Sequence, residues 1–236
     1  MSRRKNKQNH AKYFPVTSFS ALEDYLKNAP SMVRSIKYRE DAYERVMGLS
    51  QQFSLSIDLE KSYALETALE AKVEIPLYSQ SDLYDDIEAS RLLILDHVED
   101  PRNFGAIVRT AAYYSVEWIV VPQDRQVVLS PASVSTAQAG FSKTKICCIK
   151  NVARFVRDVK SRSFWVCGLV QDGVAFDQSA HLSERIALVL GSEAKGVSKN
   201  VRSECDYLVR CGPSEAGLES LNVSVACGIA IDKFFS

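Results

Sequence analysis

Three short segments of this chain carry residue types and spacings suited to chemistry. The first runs from Leu95 to Thr110 and holds Asp100, Pro101, Asn103, Gly105 and Arg109. Pro101 stiffens a turn, Asn103 can cap a following helix, and Gly105 permits close backbone approach. Arg109 then falls in the second turn of that helix. The second segment, Leu190 to Ser198, places Gly191, Ser192, Glu193 and Gly196 directly after an apolar run. Two glycines there bring backbone amides close to a ligand. The spacing nearly matches the phosphate loop G-x-x-x-x-G-K-[ST], but Val197 stands at the lysine position, which disfavours a nucleoside triphosphate. The third segment, Gly212 to Ala226, sets Ser220, Asn222 and Ser224 into an otherwise apolar series. Such polar groups are costly to bury without partners. Either Ser220 or Asn222 can cap a last helix, but capping accounts for only one of the three.

The elements that must position these residues follow from periodicity. Leu92 to Leu95 is an apolar run of the kind buried on both faces of a parallel sheet. Further strands are expected at Val116–Val121, Thr144–Ile149, Phe164–Leu169, Ile186–Leu190 and Tyr207–Cys211. Helices are expected at Gly105–Tyr114, from a Ser130–Pro131 start to Ala139 with Gly140 as stop, at Val152–Lys160 and at Leu221–Phe235. Alternation of strand and helix defines an α/β domain with a mostly parallel sheet, and ligands in such sheets bind beyond the carboxyl ends of the strands. All three polar segments lie at such ends. Residues 13–78 read as a small α/β unit, with helices from Ser20 (a candidate cap) and over Glu40–Phe53, and strands at Met32–Ile36 and Val73–Tyr78. The acidic stretch 79–90 reads as a linker and 91–236 as the main domain, while residues 1–12 form a basic tail that can attract phosphates.

Composition narrows the classes. The chain has 236 residues with 29 basic and 29 acidic side chains, so net charge argues neither for nor against nucleic acid. No apolar run approaches the ~18 residues of a membrane span, and the N-terminus lacks the apolar region of a secretory signal. The six cysteines form no C-x-x-C pair and the three histidines lie far apart, so no metal site is expected. They read as reduced thiols of a cytoplasmic protein, with Cys147, Cys148 and Cys167 as small hydrophobes inside strands. No G-x-G-x-x-G occurs, which disfavours a nucleotide-dependent oxidoreductase.

Taken together and in order, the three segments resemble the three motifs of the SpoU (TrmH-like) family of RNA 2'-O-ribose methyltransferases. The matching residues are Asp100-Pro101, Asn103, Gly105 and Arg109-Thr110-Ala111, then Leu190-Gly191-Ser192-Glu193 and Gly196, then Ser220 through Ala226. The resemblance spans about Leu92 to Phe235. It implies the SPOUT fold, a parallel α/β sheet with a C-terminal trefoil knot, a feature that periodicity does not reveal. It also implies a homodimer, S-adenosylmethionine as cofactor, and RNA as substrate, ribosomal RNA ahead of transfer RNA. By motif position, Gly191, Ser192, Cys211, Pro213, Ser220 and Leu221 would hold the cofactor, largely through the backbone. Asn103, Arg109, Glu193, Asn222 and Ser224 would line the methyl-transfer centre. The chain departs from the family between Asp206 and Ser220, where it is one residue longer than many members and carries Ser214 and Glu215 in place of an apolar residue and a glycine. The N-terminal unit resembles, in size and position, the small RNA-binding domain of many relatives. A catalytically silent RNA-binding relative is the alternative within the same fold.

The chemistry that the resemblance implies asks little covalent work of the protein. The sulfonium is already an activated methyl donor, so the tasks are alignment and stabilisation of charge growing on the ribose oxygen. Arg109 suits the second task as a cation on the target phosphate or the developing oxyanion, since a guanidinium is not a base in proteins. The proton would pass to a phosphate oxygen, to water or to Glu193.

Overall fold

A computed structural model of the chain describes residues 11–86, 91–123, 129–175, 185–212 and 221–235. The first part is a four-stranded sheet. Strand β1 (Lys12–Val16) leads into helix α1 (Phe19–Asn28), strand β2 (Val33–Tyr38), helix α2 (Tyr43–Gln52), and strands β3 (Asp58–Lys61) and β4 (Leu69–Ile75). Their order across the sheet is β1-β4-β2-β3. Strand β4 alternates strictly, with Leu69, Ala71, Val73 and Ile75 buried and the residues between them outward, as a sheet covered on one face requires. The cap of α1 is Ser18, whose hydroxyl accepts from the Ala21 amide, and not Ser20, which lies inside the helix. The helical stretch expected from Glu40 begins as a short 3-10 turn at Glu40–Ala42 before α2 proper.

Directly after β4 the chain enters a second sheet. Strand β5 (Leu77–Ser79) and helix α3 (Gln80–Asp85) are followed by β6 (Arg91–Asp96), α4 (Pro101–Tyr113), β7 (Trp118–Pro122), α5 (Pro131–Ala137) and β8 (Lys145–Ile149). Then come α6 (Val152–Lys160), β9 (Trp165–Ala175), β10 (Ile186–Gly191), the short α7 (Lys199–Arg202), β11 (Tyr207–Arg210) and α8 (Val223–Phe235). The sheet order is β11-β9-β10-β6-β7-β8-β5, and every pairing in it is parallel. The stretch from Ser79, read from sequence as a connection, is therefore helix α3 as far as Asp85. Ser79 and Asp82 close a capping box there, and Leu83 is fully buried.

Helices cover both faces of this sheet, which is why its central strands carry unbroken apolar runs: all six residues of β10 are buried, as are Leu92 to Leu95 of β6 and the Asp96 that ends it. One core joins the first sheet and α1 to the α4, α5 and α8 face, and a second lies under α3, α6 and α7. The first unit thus packs on the second rather than hanging from a linker. Helix α4 lies tight against α5, where a Cβ on Gly105 would stand 2.5 Å from the Ser133 carbonyl oxygen. Helix α5 ends at Ala137, short of the expected Ala139, and Gly140 is buried against α4 rather than acting as a stop.

Candidate active site

Strands β6 and β10 run side by side, with Leu95 opposite Leu190 and Asp96 opposite Gly191, so their following loops emerge together. The first loop enters α4 through Asp100. Its side chain accepts from the amides of Arg102 (2.7 Å) and Asn103 (3.2 Å), with Pro101 in the first turn. Asp100 and not Asn103 is thus the cap. The Asn103 side chain is therefore not used in capping and bonds to the other two loops instead.

The second loop folds back on itself at once. Ser192 and Gly196 exchange backbone hydrogen bonds of 3.2 and 2.8 Å, and Gly196 takes a φ of +62° that favours glycine. At Gly191 there is no room for a side chain: a Cβ would lie 1.9 Å from the Gly196 carbonyl carbon and 2.1 Å from the Val197 nitrogen. This closed turn presents Glu193. The third loop delivers Asn222, which caps α8 by accepting from the Ser224 amide at 2.9 Å and the Ser224 hydroxyl at 2.6 Å.

The three loops meet on one carboxylate oxygen. Glu193 Oε1 accepts from Asn103 Nδ2 at 2.7 Å and from Asn222 Nδ2 at 2.8 Å, and Asn222 Nδ2 also reaches Asn103 Oδ1 at 3.0 Å. Four of the residues singled out from sequence, Asn103, Glu193, Asn222 and Ser224, are therefore brought into one hydrogen-bonded cluster. Of the polar series at the start of α8, Asn222 and Ser224 bond to each other and Asn222 also bonds to Glu193.

Arg109 is not in that cluster. It lies six residues beyond Asn103 on α4, about 9 Å along the axis and on a different face of the helix. Its side chain is exposed, in the same stripe as Arg102 and Tyr113, and forms no ion pair with a carboxylate among the described residues. Of the residues expected to hold a cofactor, Gly191 and Ser192 border the cluster through the folded-back loop. Cys211 lies half-buried at the end of β11, where burial raises its thiol pKa, and Leu221 is 47% exposed just before Asn222. Pro213 and Ser220 fall outside the described residues. Asp96, His97 and Ser198 also belong to this site, and sequence reading passed over all three. The signal was a carboxylate ending a fully apolar strand, which has to find partners.

The donor set suits a cationic, partly apolar ligand. Glu193 offers a carboxylate, Leu221 and Val225 (51% exposed) offer uncovered apolar surface, and the loop ends offer backbone groups. Among the described residues no group of three His, Cys, Asp or Glu side chains is assembled that could hold a metal ion. No helix among them is long and apolar enough to cross a membrane.

The large all-parallel α/β sheet matches the fold of solved SPOUT methyltransferases. The SpoU methyltransferase AviRb from Streptomyces viridochromogenes, solved in complex with AdoMet, superposes with a TM-score of 0.79 over 94% of this chain and 88% of that one, at 18% identity. An AdoMet-bound rRNA methyltransferase from Sinorhizobium meliloti superposes with a TM-score of 0.74 over 94% of this chain and 86% of that one, at 20% identity. The chain belongs to the SpoU rRNA methylase family, whose sequence profile matches residues 90–232. It is 31% identical to the 23S rRNA (guanosine-2'-O-)-methyltransferase RlmB of Acinetobacter baylyi over 234 residues, 93% of this chain and 94% of that protein. Against RlmB of Xylella fastidiosa it is 34% identical over 161 residues, which cover 66% of this chain and 64% of that one.

Proposed function

We propose that this protein transfers a methyl group from S-adenosylmethionine to a ribose 2'-hydroxyl of ribosomal RNA. The observation that carries the reading is the convergence of Asn103, Glu193 and Asn222, from three segments far apart in sequence, on one carboxylate oxygen at the ends of β6 and β10. Family membership and relatives named for 23S rRNA 2'-O-methylation support the substrate class.

In this reading the backbone of Gly191 and Ser192, with Cys211, Leu221, Pro213 and Ser220, holds the cofactor, which supplies a methyl group on a positively charged sulfur. The Glu193 carboxylate would favour that charge, and Asn103 and Asn222 fix its orientation by their two amide hydrogen bonds. Ser224 locks Asn222 from the other side. Arg109 serves RNA rather than cofactor in this reading, which its exposure on α4 supports. It binds the target phosphate or the oxyanion developing on the ribose. The proton of the hydroxyl leaves to a phosphate oxygen, to water or to Glu193.

Two further parts of the reading concern assembly. The protein acts as a homodimer, supported by the uncovered Leu221 and Val225 next to Asn222 and by Tyr113 (83% exposed) at the far end of α4. A single-subunit mass by sedimentation at working concentration would remove this part. The first sheet, spanning β1 to β4, contacts RNA through its outward face, where Lys72 lies over the Tyr13 ring at 4.5 Å. The trefoil knot is retained with the family fold, and the six free thiols fit the cytoplasm.

The test is methyl transfer from labelled S-adenosylmethionine to unmodified 23S rRNA and, separately, to transfer RNA. Label recovered as 2'-O-methylribose from the ribosomal RNA supports the proposal. Label confined to transfer RNA overturns the substrate. Cofactor and RNA binding without transfer to either would identify a silent RNA-binding protein instead.

A further inference from the structure

Strand β6 ends on Asp96, the one carboxylate among the described residues that is fully buried, at 0% exposure. A charge taken out of water is costly unless its oxygens find donors, and both do. Oδ1 pairs with His97 Nδ1 at 2.6 Å, and Oδ2 accepts the Ser198 amide at 2.7 Å. His97 has a φ of +68°, a left-handed conformation that a histidine adopts at some cost. The turn brings its ring back over the carboxylate.

The partner at Oδ2 gives the arrangement its meaning. Ser198 closes the loop that begins at Gly191, and Gly191 is the residue opposite Asp96 in the sheet. One residue of β6 therefore holds both ends of the 191–198 loop, the near end by strand register and the far end by its side chain. Between them Ser192 and Gly196 tie the loop to itself, and its exposed apex carries Glu193. At the far end, where Val197 is already packed into the core, the Ser198 amide adds the hydrogen bond that ties the loop to β6.

We propose that Asp96 is a positioning residue whose buried carboxylate anchors the 191–198 loop, holding Glu193 and the Gly191–Ser192 backbone in the geometry that binds cofactor. This rests on the methyltransferase reading above. His97 completes the anchor by occupying the second oxygen and covering it from solvent, at 44% exposure of its own side chain.

Three variants test the anchor. Asp96→Ala removes it. Asp96→Asn keeps an oxygen for the Ser198 amide and an amide group for the His97 ring. Ser198→Pro deletes the N–H at a residue whose φ of −61° proline already satisfies. Hydrogen exchange over residues 191–198 is read first, in the cofactor-free protein, then S-adenosylmethionine affinity by calorimetry. Asp96→Ala and Ser198→Pro should speed exchange in that loop and weaken cofactor binding by about tenfold to a hundredfold, the range for losing a hydrogen bond to a charged group. Asp96→Asn should restore both to near the wild-type values. If Asp96→Ala does not fold, the Asn and Pro variants carry the comparison. Loop exchange unchanged in Ser198→Pro, or Asn as damaging as Ala in folded protein, overturns the anchor. Wild-type protein that does not bind S-adenosylmethionine overturns the methyltransferase reading instead, while the exchange measurement still decides the anchor.

Discussion

Replacing Gly191 by alanine should be among the most damaging single-methyl changes in the molecule. The added Cβ would sit 1.9 Å from the Gly196 carbonyl carbon, 2.1 Å from the Val197 nitrogen and 2.2 Å from the Gly196 carbonyl oxygen. All three are backbone atoms, so no side-chain rotation relieves the contact, and the 191–198 turn has to open by about 1 Å or more to restore ordinary van der Waals spacing. Opening sacrifices the paired backbone bonds between Ser192 and Gly196, each contributing about 1 kcal/mol, on top of about 1–3 kcal/mol for overpacking. A loss of about 3 kcal/mol or more lowers the thermal midpoint of a chain of this size by at least about 6–12 °C. Gly48→Ala is the control. Gly48 is exposed within α2 with nothing within 4 Å of a built Cβ, so alanine there should stabilise by about 0.5–1 kcal/mol. The assay is thermal unfolding of both variants, with S-adenosylmethionine titrated into each below its midpoint. Opposite signs are expected, with cofactor binding lost only in Gly191→Ala. A Gly191→Ala protein with wild-type midpoint and wild-type affinity would refute the claim that the turn is closed at this residue.

Other expectations follow from the same geometry. Glu193→Gln keeps the Oε1 acceptor for Asn103 and Asn222 but removes the charge, so it should leave the thermal midpoint near wild type while lowering turnover about tenfold or more; unchanged turnover would show that the charge is not used. Arg109→Lys should leave stability alone, because the side chain is exposed, yet cut turnover strongly, since an ammonium cannot reproduce the planar fork on a phosphate. Near-normal activity in that variant argues against its role. Alkaline pH should weaken the fold. Burial pushes the thiols of Cys167, Cys205 and Cys227 up to about 12, while in the unfolded chain they ionise near 8.5. Between those values the folded state holds more protons than the unfolded one, so stability falls as pH rises. A urea midpoint equal at pH 7 and pH 10.5 would contradict this.

How much of this was legible beforehand depended on where the information lay. The central strands could be read directly, because β6 and β10 are buried on both faces and so carry unbroken apolar runs. Strand β3 could not, since Asp58–Lys61 is largely exposed and its extension is imposed by pairing with β2. The break at Pro76 hid the point where the chain leaves one sheet and enters the other. Boundaries at α4 and α5 were misplaced for a shared reason: Asn103 and Gly140 have ordinary capping propensities, but tertiary contacts use them otherwise. The site residues were nameable from their motifs, but only the family resemblance implied that they meet; the residues alone did not show it, because Asn103 and Asn222 are 119 residues apart and only the fold joins them. Asp96 escaped notice because one carboxylate at a strand end looks like the start of a loop until its depth is known.

The central claim, ribose methylation of ribosomal RNA by this site, is met most directly in the cell. Ribose methylation would be mapped along 23S rRNA from a strain lacking this gene, then after return of the wild-type chain or of Arg109→Ala. The account predicts that one 2'-O-methyl mark disappears with the gene, returns with the wild-type chain and does not return with Arg109→Ala. An unaltered methylation map in the strain lacking the gene would contradict it.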